Sequence, residues 1–198
     1  MHAIVVISGF PASGKTTLAS ALASRLRFPL LDKDAFLEAL FQLEGTGNAE
    51  WRRSLSSRAD AQFREAVLLA KQSVATSWWK HPLSKEDSGT PIDWLSLESQ
   101  ALVEVHCSCR ASVAAARFLA RNLHPGHLDK LRSSEGLLAM LEQQEAFGPL
   151  FPSKAIVVNT EEPVELSALA VLVNSALETS VTPNPGEPHD PPCSTPHK

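Results

Sequence analysis

The chain has 198 residues, a formal net charge of −4 at pH 7 and 43% hydrophobic residues, a composition that fits one ordinary folded domain. The acidic balance argues against a protein that holds nucleic acid by bulk charge, and no apolar run approaches the roughly 20 residues of a membrane span. Three cysteines do not make a disulfide framework and no signal sequence is recognisable, so the sequence predicts a cytoplasmic protein without a membrane partner.

Short apolar runs alternate with amphipathic stretches along most of the chain. Residues 2–8 are rich in Ile and Val, which is typical of a buried parallel strand. This alternation predicts an α/β layer fold with a parallel sheet. Further strands are predicted in residues 28–31, 73–78, 101–107 and 155–158, and helices in residues 18–26, 36–41, 55–70, 113–123, 137–141 and 163–177.

Two segments depart from this alternation. Residues 80–93 contain two prolines, a glycine and several charges, and are expected to be a functional loop or an insertion. Residues 179–198 contain six prolines and almost no apolar side chains, so this segment cannot offset the entropy of ordering itself. We therefore expect one domain over residues 1–178 and a disordered tail over residues 179–198.

A glycine loop follows the first predicted strand, where residues 9–17 read Gly-Phe-Pro-Ala-Ser-Gly-Lys-Thr-Thr before a helical pattern. Such a loop offers phosphates its backbone N–H groups and the positive end of the helix. The Lys15 ammonium is expected to reach the β- and γ-phosphates, and the Thr16 hydroxyl to bind Mg²⁺. The sequence therefore predicts a P-loop site for ATP and Mg²⁺ that comprises Gly9, Ala12, Ser13, Gly14, Lys15, Thr16 and Thr17.

Two aspartates follow the second predicted strand, at the edge where open α/β sheets bind ligands. We expect this strand beside the P-loop strand, which would place the Asp34 carboxylate near the γ-phosphate as the base for an attacking hydroxyl. The alternative is that both aspartates begin the next helix, as N-cap and dipole partner. For Asp34 the catalytic hypothesis is favoured, and for Asp32 the capping role, with a contribution to the metal site as the second hypothesis.

A basic segment begins at Arg110 and includes Arg117 and Arg121, which are four residues apart and share one face of a predicted helix. This face is expected to close over the phosphates, where negative charge develops in the transition state. The alternative is an ordinary solvated basic face.

Together these residues resemble the small P-loop kinases, and more narrowly the group of chloramphenicol phosphotransferase, the zeta toxins and the kinase domain of bacteriophage polynucleotide kinase. Residues 104–107 (Glu-Val-His-Cys) and 124–129 (His-Pro-Gly-His-Leu-Asp) are similar to bacterial predicted kinases of this group. The resemblance implies a three-layer P-loop NTPase fold whose five-stranded parallel sheet has the P-loop strand in the middle.

The resemblance also implies roles for individual residues. Lys15 and Thr16 match the phosphate-binding lysine and the metal-binding hydroxyl, and Asp34 matches the general base. Arg117 and Arg121 match the arginines of the lid. One departure is that residues 77–80 (Ser-Trp-Trp-Lys), after the third strand, lack the aspartate that many P-loop proteins carry there.

The leading hypothesis is an ATP-dependent kinase that transfers the γ-phosphate to a hydroxyl of a small acceptor. ATP is favoured over GTP because the chain has no Asn-Lys-x-Asp guanine signature. One alternative is a kinase for a polynucleotide 5′-hydroxyl, although the acidic charge and the lack of an aromatic and basic array argue against it. Another is an ATP-binding switch or an ATPase without an acceptor, which would not need a carboxylate at Asp34.

Overall fold

The structure, a computed structural model, describes residues 2–98, 101–121, 124–127 and 134–181. Strands alternate with helices along these ranges, as predicted. The strands are β1 (Ala3–Ser8), β2 (Leu30–Asp32), β3 (Gln72–Thr76), β4 (Ala101–Ser108) and β5 (Ala155–Asn159), and the helices are α1 (Lys15–Leu26), α2 (Lys33–Glu44), α3 (Ala49–Leu69), α4 (Asp93–Glu98), α5 (Ala111–Ala120), α6 (Ser134–Glu145) and α7 (Leu166–Val181).

The five strands form one parallel sheet in the order β2-β3-β1-β4-β5. The P-loop strand β1 is central, which confirms the architecture implied by the resemblance. The expectation that β2 lies beside β1 is wrong, because β3 pairs with both of them. The reason is that β1 is buried throughout and apolar except for Ser8, whereas β2 has only three residues, none of them buried, and suits the edge of the sheet.

The core lies on both faces of the sheet, and β1 divides its side chains between them. Val5 and Ile7 pack on one face with the buried residues of α1 and α7. Ile4 and Val6 face the other way and pack with Phe63 of α3 and neighbouring aromatic rings. The alternation of side chains along a strand thus produces the expected three layers of helix, sheet and helix.

The segment over residues 80–93 folds back on the end of β3. The Lys80 N–H donates to the Thr90 carbonyl and the Thr90 N–H donates to the Trp78 carbonyl, both at 2.8 Å. Helix α4, which follows directly, was not predicted, because six residues are too few to show a helical period.

The end of the chain is described only in part. Helix α7 continues to Val181, so residues 179–181 of the predicted tail are helical, and residues 182–198 lie outside the described residues. Within the described ranges, the structure contains no helix that has both the length and the apolar character to cross a membrane.

Candidate active site

The loop between β1 and α1 depends on three residues with left-handed backbone angles. Gly9 has φ +127°, Gly14 has φ +95° and Ala12 has φ +61°. A Cβ atom at Gly9 would lie 2.6 Å from the Cys107 carbonyl oxygen, so only glycine fits between the loop and β4. Gly14 is the N-cap of α1, and the loop therefore wraps the N-terminus of that helix.

Hydrogen bonds hold two carbonyl groups of this loop. The Thr160 hydroxyl, which follows β5, donates to the Ser13 carbonyl at 2.6 Å. The Lys15 ammonium donates to the Phe10 carbonyl at 2.9 Å. Burial is the main cause that lowers the pKa of Lys15. A partly buried ammonium whose one hydrogen bond within the described residues is to the loop itself is suited to meet an anion at this position.

A cavity of about 1040 Å³ opens at the carboxyl edge of the sheet, above this loop. It brings together most of the residues predicted for the site. Gly9 lies instead beside a second, much smaller cavity, and Ser13 is buried under the loop. The predicted residues that line the large cavity are Ala12, Gly14, Lys15, Thr16, Thr17, Asp32, Asp34, Arg117 and Arg121.

The two aspartates of the cavity differ in environment. Asp32 is the N-cap of α2, since its Oδ1 accepts a hydrogen bond from the Asp34 N–H at 3.0 Å. Burial, with the neighbouring Asp34 charge as the next cause, raises the pKa of Asp32 to about 6. Asp32 pairs in register with Thr76 at the end of β3, while the side chain of Asp34 is exposed in the cavity. Asp32 thus lies beside the strand end at which the sequence lacks an acidic residue.

The two predicted lid arginines both line the cavity but are held differently. Arg117 donates through Nη2 to the Thr160 carbonyl at 2.8 Å. The Arg121 guanidinium carbon lies 4.0 Å from the centroid of the Phe118 ring, which is close enough for a cation–π contact. Arg110 lies outside the cavity and forms an ion pair with Glu161 at 2.7 Å.

The structure adds cavity residues that the sequence analysis did not identify. They include Arg52 and Arg53 of α3, and Thr160. No local signal marks these three residues, because arginines on α3 look like the charged face of any amphipathic helix, and only the packing of the helices brings them to the P-loop. His127, which lies in the segment over residues 124–129 that resembles predicted kinases, also lines the cavity, and its Nε2 lies 3.0 Å from a carboxylate oxygen of Glu38.

A buried polar cluster lies directly beneath the P-loop. The Ser8 hydroxyl donates to the Glu104 carboxylate and lies 2.8 Å from Nδ1 of His106. Glu104 also accepts the N–H groups of Leu150 and Phe151, at 2.9 Å and 2.6 Å. Burial acts to raise the pKa of Glu104, but hydrogen bonds from His106, Ser8 and these N–H groups outweigh it and lower the pKa. The cluster ties the segment before β5 to the base of the loop.

Comparison with known proteins assigns the chain to a family. Residues 4–147 match the AAA domain family AAA_33, and this match covers most of the chain. No curated protein sequence matches the chain significantly.

Solved structures with this fold include kinases. A proposed kinase from Chloroflexus aurantiacus J-10-fl is similar with a TM-score of 0.72 and 27% identity, over 88% of this chain and 98% of that one. A gluconokinase from Sinorhizobium meliloti 1021 has a TM-score of 0.55 and 20% identity over 90% and 93%. A sugar kinase from Janibacter sp. HTCC2649 has a TM-score of 0.52 and 22% identity over 92% and 99%, and these last two likenesses concern the fold alone. The chain therefore belongs to the AAA domain family AAA_33 and has a P-loop kinase-like fold.

Proposed function

We propose that this protein is an ATP-dependent kinase that transfers the γ-phosphate of ATP to a hydroxyl group of a small molecule, as in the kinase group that its sequence resembles. The observation that carries the proposal is the content of the large cavity. A P-loop lysine, an exposed carboxylate and two arginines line this one cavity, namely Lys15, Asp34, Arg117 and Arg121. A non-catalytic nucleotide switch would need the first of these groups but not the carboxylate.

The sheet order gives the cavity two ends with different chemistry. At the β5 side, Val164 and Leu166 line it, and these apolar side chains suit the flat face of a purine. At the β2 side, α2 and α3 contribute Asp34 and Arg52. The P-loop lies between the two ends because β1 is the central strand. A volume of about 1040 Å³ is ample for a nucleotide and a small acceptor together.

The residues around the loop fit the Mg²⁺ that the proposal requires. Thr16 is exposed in the cavity, and Asp32 offers a carboxylate whose pKa burial and the Asp34 charge raise to about 6. Hydroxyl and carboxylate oxygens are the ligands that Mg²⁺ prefers. We propose that Thr16 and Asp32 hold the ion, Asp32 directly or through water. Bound Mg²⁺ would offset charge on the β- and γ-phosphates.

The reaction follows from these positions. The acceptor oxygen forms a bond to the γ-phosphorus as the bond to the bridging oxygen breaks, and ADP leaves. Asp34 orients the hydroxyl and takes up its proton. Lys15, Arg117 and Arg121 offset the charge that spreads over the transferring phosphoryl group. Because the transition state is loose, orientation by Asp34 contributes at least as much as early removal of the proton.

The decisive test is Asp34→Asn, which keeps the shape of the side chain and removes its charge. Phosphate transfer should fall by roughly 10²- to 10⁴-fold, with ATP affinity within a few-fold of wild type. Asp93→Asn is the matched control, since Asp93 also lies in the first turn of a helix but outside the cavity.

Initial rates with labelled ATP and a panel of hydroxylated acceptors, together with calorimetry for ATP, give both quantities. Full transfer by Asp34→Asn would exclude the catalytic assignment. Loss of ATP binding would move Asp34 to the metal site. ATP turnover that no acceptor raises would favour an ATPase or a switch.

A further inference from the structure

We infer that the acceptor carries an anionic group, a carboxylate or a phosphate ester, and that Arg52 binds this group at the α3 end of the large cavity. The inference rests on the proposed kinase function, because only a kinase would use the ligand of this site as a phosphate acceptor. The anion site itself depends only on the surroundings of Arg52.

Arg52 is a half-buried arginine that the described residues leave without a partner. It lies in the first turns of α3 and lines the cavity. Its Nε is fully buried and has no hydrogen-bond partner among the described residues, and no described carboxylate forms an ion pair with it. Leaving a buried charged donor unsatisfied is costly. Because the half-buried side chain also lines the cavity, a ligand oxygen there could accept from the rest of the guanidinium and offset the cost of this burial.

Other cations near the same helices have partners within the protein. Arg58, also on α3, pairs with Glu44 at 2.6 Å. Lys33 donates to the Ser56 hydroxyl at 2.6 Å and lies 3.6 Å from Asp60. Asp60, a carboxylate of the same helix as Arg52, is thereby engaged, and it also accepts a hydrogen bond from Thr90 at 2.7 Å. The lack of a partner at Arg52 is therefore not a general property of this surface.

The position of Arg52 separates it from the groups expected to hold the nucleotide. The first turns of α3, where Arg52 lies, pack on α2, which follows the edge strand β2, whereas later residues of α3 such as Phe63 cover the middle of the sheet. Lys15, Arg117 and Arg121, which line the cavity, are the groups proposed to meet the phosphates. Arg52 instead shares its end of the cavity with Asp34, the group proposed to meet the acceptor hydroxyl.

The arginines at this end of the cavity favour an acceptor that carries a negative charge. Asp32 and Asp34 alone would repel an anionic acceptor. Arg52, with the exposed Arg53 beside it on the cavity wall, supplies positive charge to compensate. A guanidinium presents N–H groups in a planar fork that matches the two oxygens of a carboxylate or phosphate.

The test is calorimetric titration of acceptor pairs into full-length protein saturated with Mg²⁺ and a non-hydrolysable ATP analogue. The pairs differ by one anionic group: glycerate and glycerol, gluconate and glucitol, ribose 5-phosphate and ribose. At least one anionic member should bind about tenfold or more tightly than its neutral counterpart. The first two pairs report on carboxylates and the third on phosphate esters.

Variants then assign the effect to Arg52. Arg52→Gln should weaken binding of the anionic compound by about 10- to 100-fold, with affinity for the ATP analogue within twofold of wild type. Arg52→Lys keeps the charge but loses the fork, and should recover part of the affinity. Arg58→Gln is the matched control on the same helix and should bind like wild type.

Three results would overturn the inference: no anionic compound binds better than its neutral counterpart, Arg52→Gln binds it as Arg58→Gln does, or Arg52→Gln loses the ATP analogue instead. Failure of the kinase proposal would look different. In that case the ATP analogue would not bind, or bound anionic compounds would receive no phosphate when ATP replaces the analogue.

Discussion

Asp32→Asn should stabilise the protein in the absence of ligands and weaken its Mg²⁺-dependent binding of nucleotide. Burial and the nearby Asp34 charge raise the pKa of Asp32 from 3.8 to about 6, so the ionised form is disfavoured in the folded state. When the pKa of a carboxyl group is higher in the folded than in the unfolded protein, the free energy of unfolding is highest at a pH below the unfolded pKa, where the group is protonated in both states. For Asp32 this stability is lost as the pH rises from about 4 to about 6. Above pH 6 the folded protein carries an unfavourable charge at this site, and asparagine does not.

The size of the effect follows from the difference between the two pKa values. A folded pKa of about 6 against 3.8 corresponds to at most about 3 kcal/mol of unfolding free energy. Asp32 is only partly buried, so solvent screening lowers this to about 1–2 kcal/mol. Asparagine is as good an N-cap as aspartate, so the hydrogen bond from the Asp34 N–H should survive the change. The stabilisation should therefore be largest at pH 8 and mostly gone at pH 4.5.

Urea unfolding of both proteins at pH 8 and pH 4.5 measures this difference, and calorimetry with ATP at several Mg²⁺ concentrations measures the second effect. Asp87→Asn is the control, because Asp87 is an exposed carboxylate whose pKa Lys80 lowers through a hydrogen bond. It should produce a small change of opposite sign. An equal effect of Asp32→Asn at both pH values would refute the reasoning, as would a loss of stability at pH 8.

Three further variants test the loop and its surroundings. Lys15→Ala should remove most of the affinity for Mg²⁺ and ATP but leave the melting temperature nearly unchanged, since within the part of the chain that the structure describes Lys15 bonds the Phe10 carbonyl alone; equal calorimetric affinity would contradict the P-loop assignment. Gly126→Ala should lower the melting temperature, because its Cβ would lie 2.6 Å from the Phe41 ring, and an unchanged transition would show that this contact is loose. Glu104→Gln should lower the unfolding free energy at pH 7 by about 3 kcal/mol, because an amide NH₂ would face a buried donor. That penalty should shrink as the pH falls below 4.5, since the pKa of Glu104 is lowered on folding; urea titrations that show no penalty at pH 7 would contradict the role of the carboxylate.

The strands were predictable because the central strands are rich in apolar residues. Residues 2–8 are a nearly continuous apolar run, whereas residues 101–107 include Glu104 and His106 and alternate only weakly, and the structure places strands in both. The neighbour of each strand was not predictable in the same way. The three residues of β2 contain no pattern that predicts pairing with β3, since this pairing depends on the path of α2 and α3 across the sheet.

The residues of the candidate site also differ in this respect: some are predictable from their neighbours in the sequence, and others are not. Residues 9–17 are by themselves enough to predict the phosphate loop, because its backbone angles and its position before a helix are local properties. Asp32 and Asp34 could be assigned to the ligand edge because they end a strand. Arg52 and Thr160 reach the cavity only through packing between elements far apart in the chain, for which the sequence has no short-range pattern.

Thr160 has a consequence for the energetics of ligand binding. Its hydroxyl holds the Ser13 carbonyl at 2.6 Å, and its own carbonyl holds Arg117 at 2.8 Å. The phosphate loop and an arginine of the opposite wall are thus fixed to one residue in the absence of ligand. The Phe10 carbonyl meanwhile holds the Lys15 ammonium at 2.9 Å. If the proposed function is correct, such preorganisation means that little of the binding energy would be spent on ordering the protein, and that the dipoles of the loop would need little rearrangement during phosphate transfer.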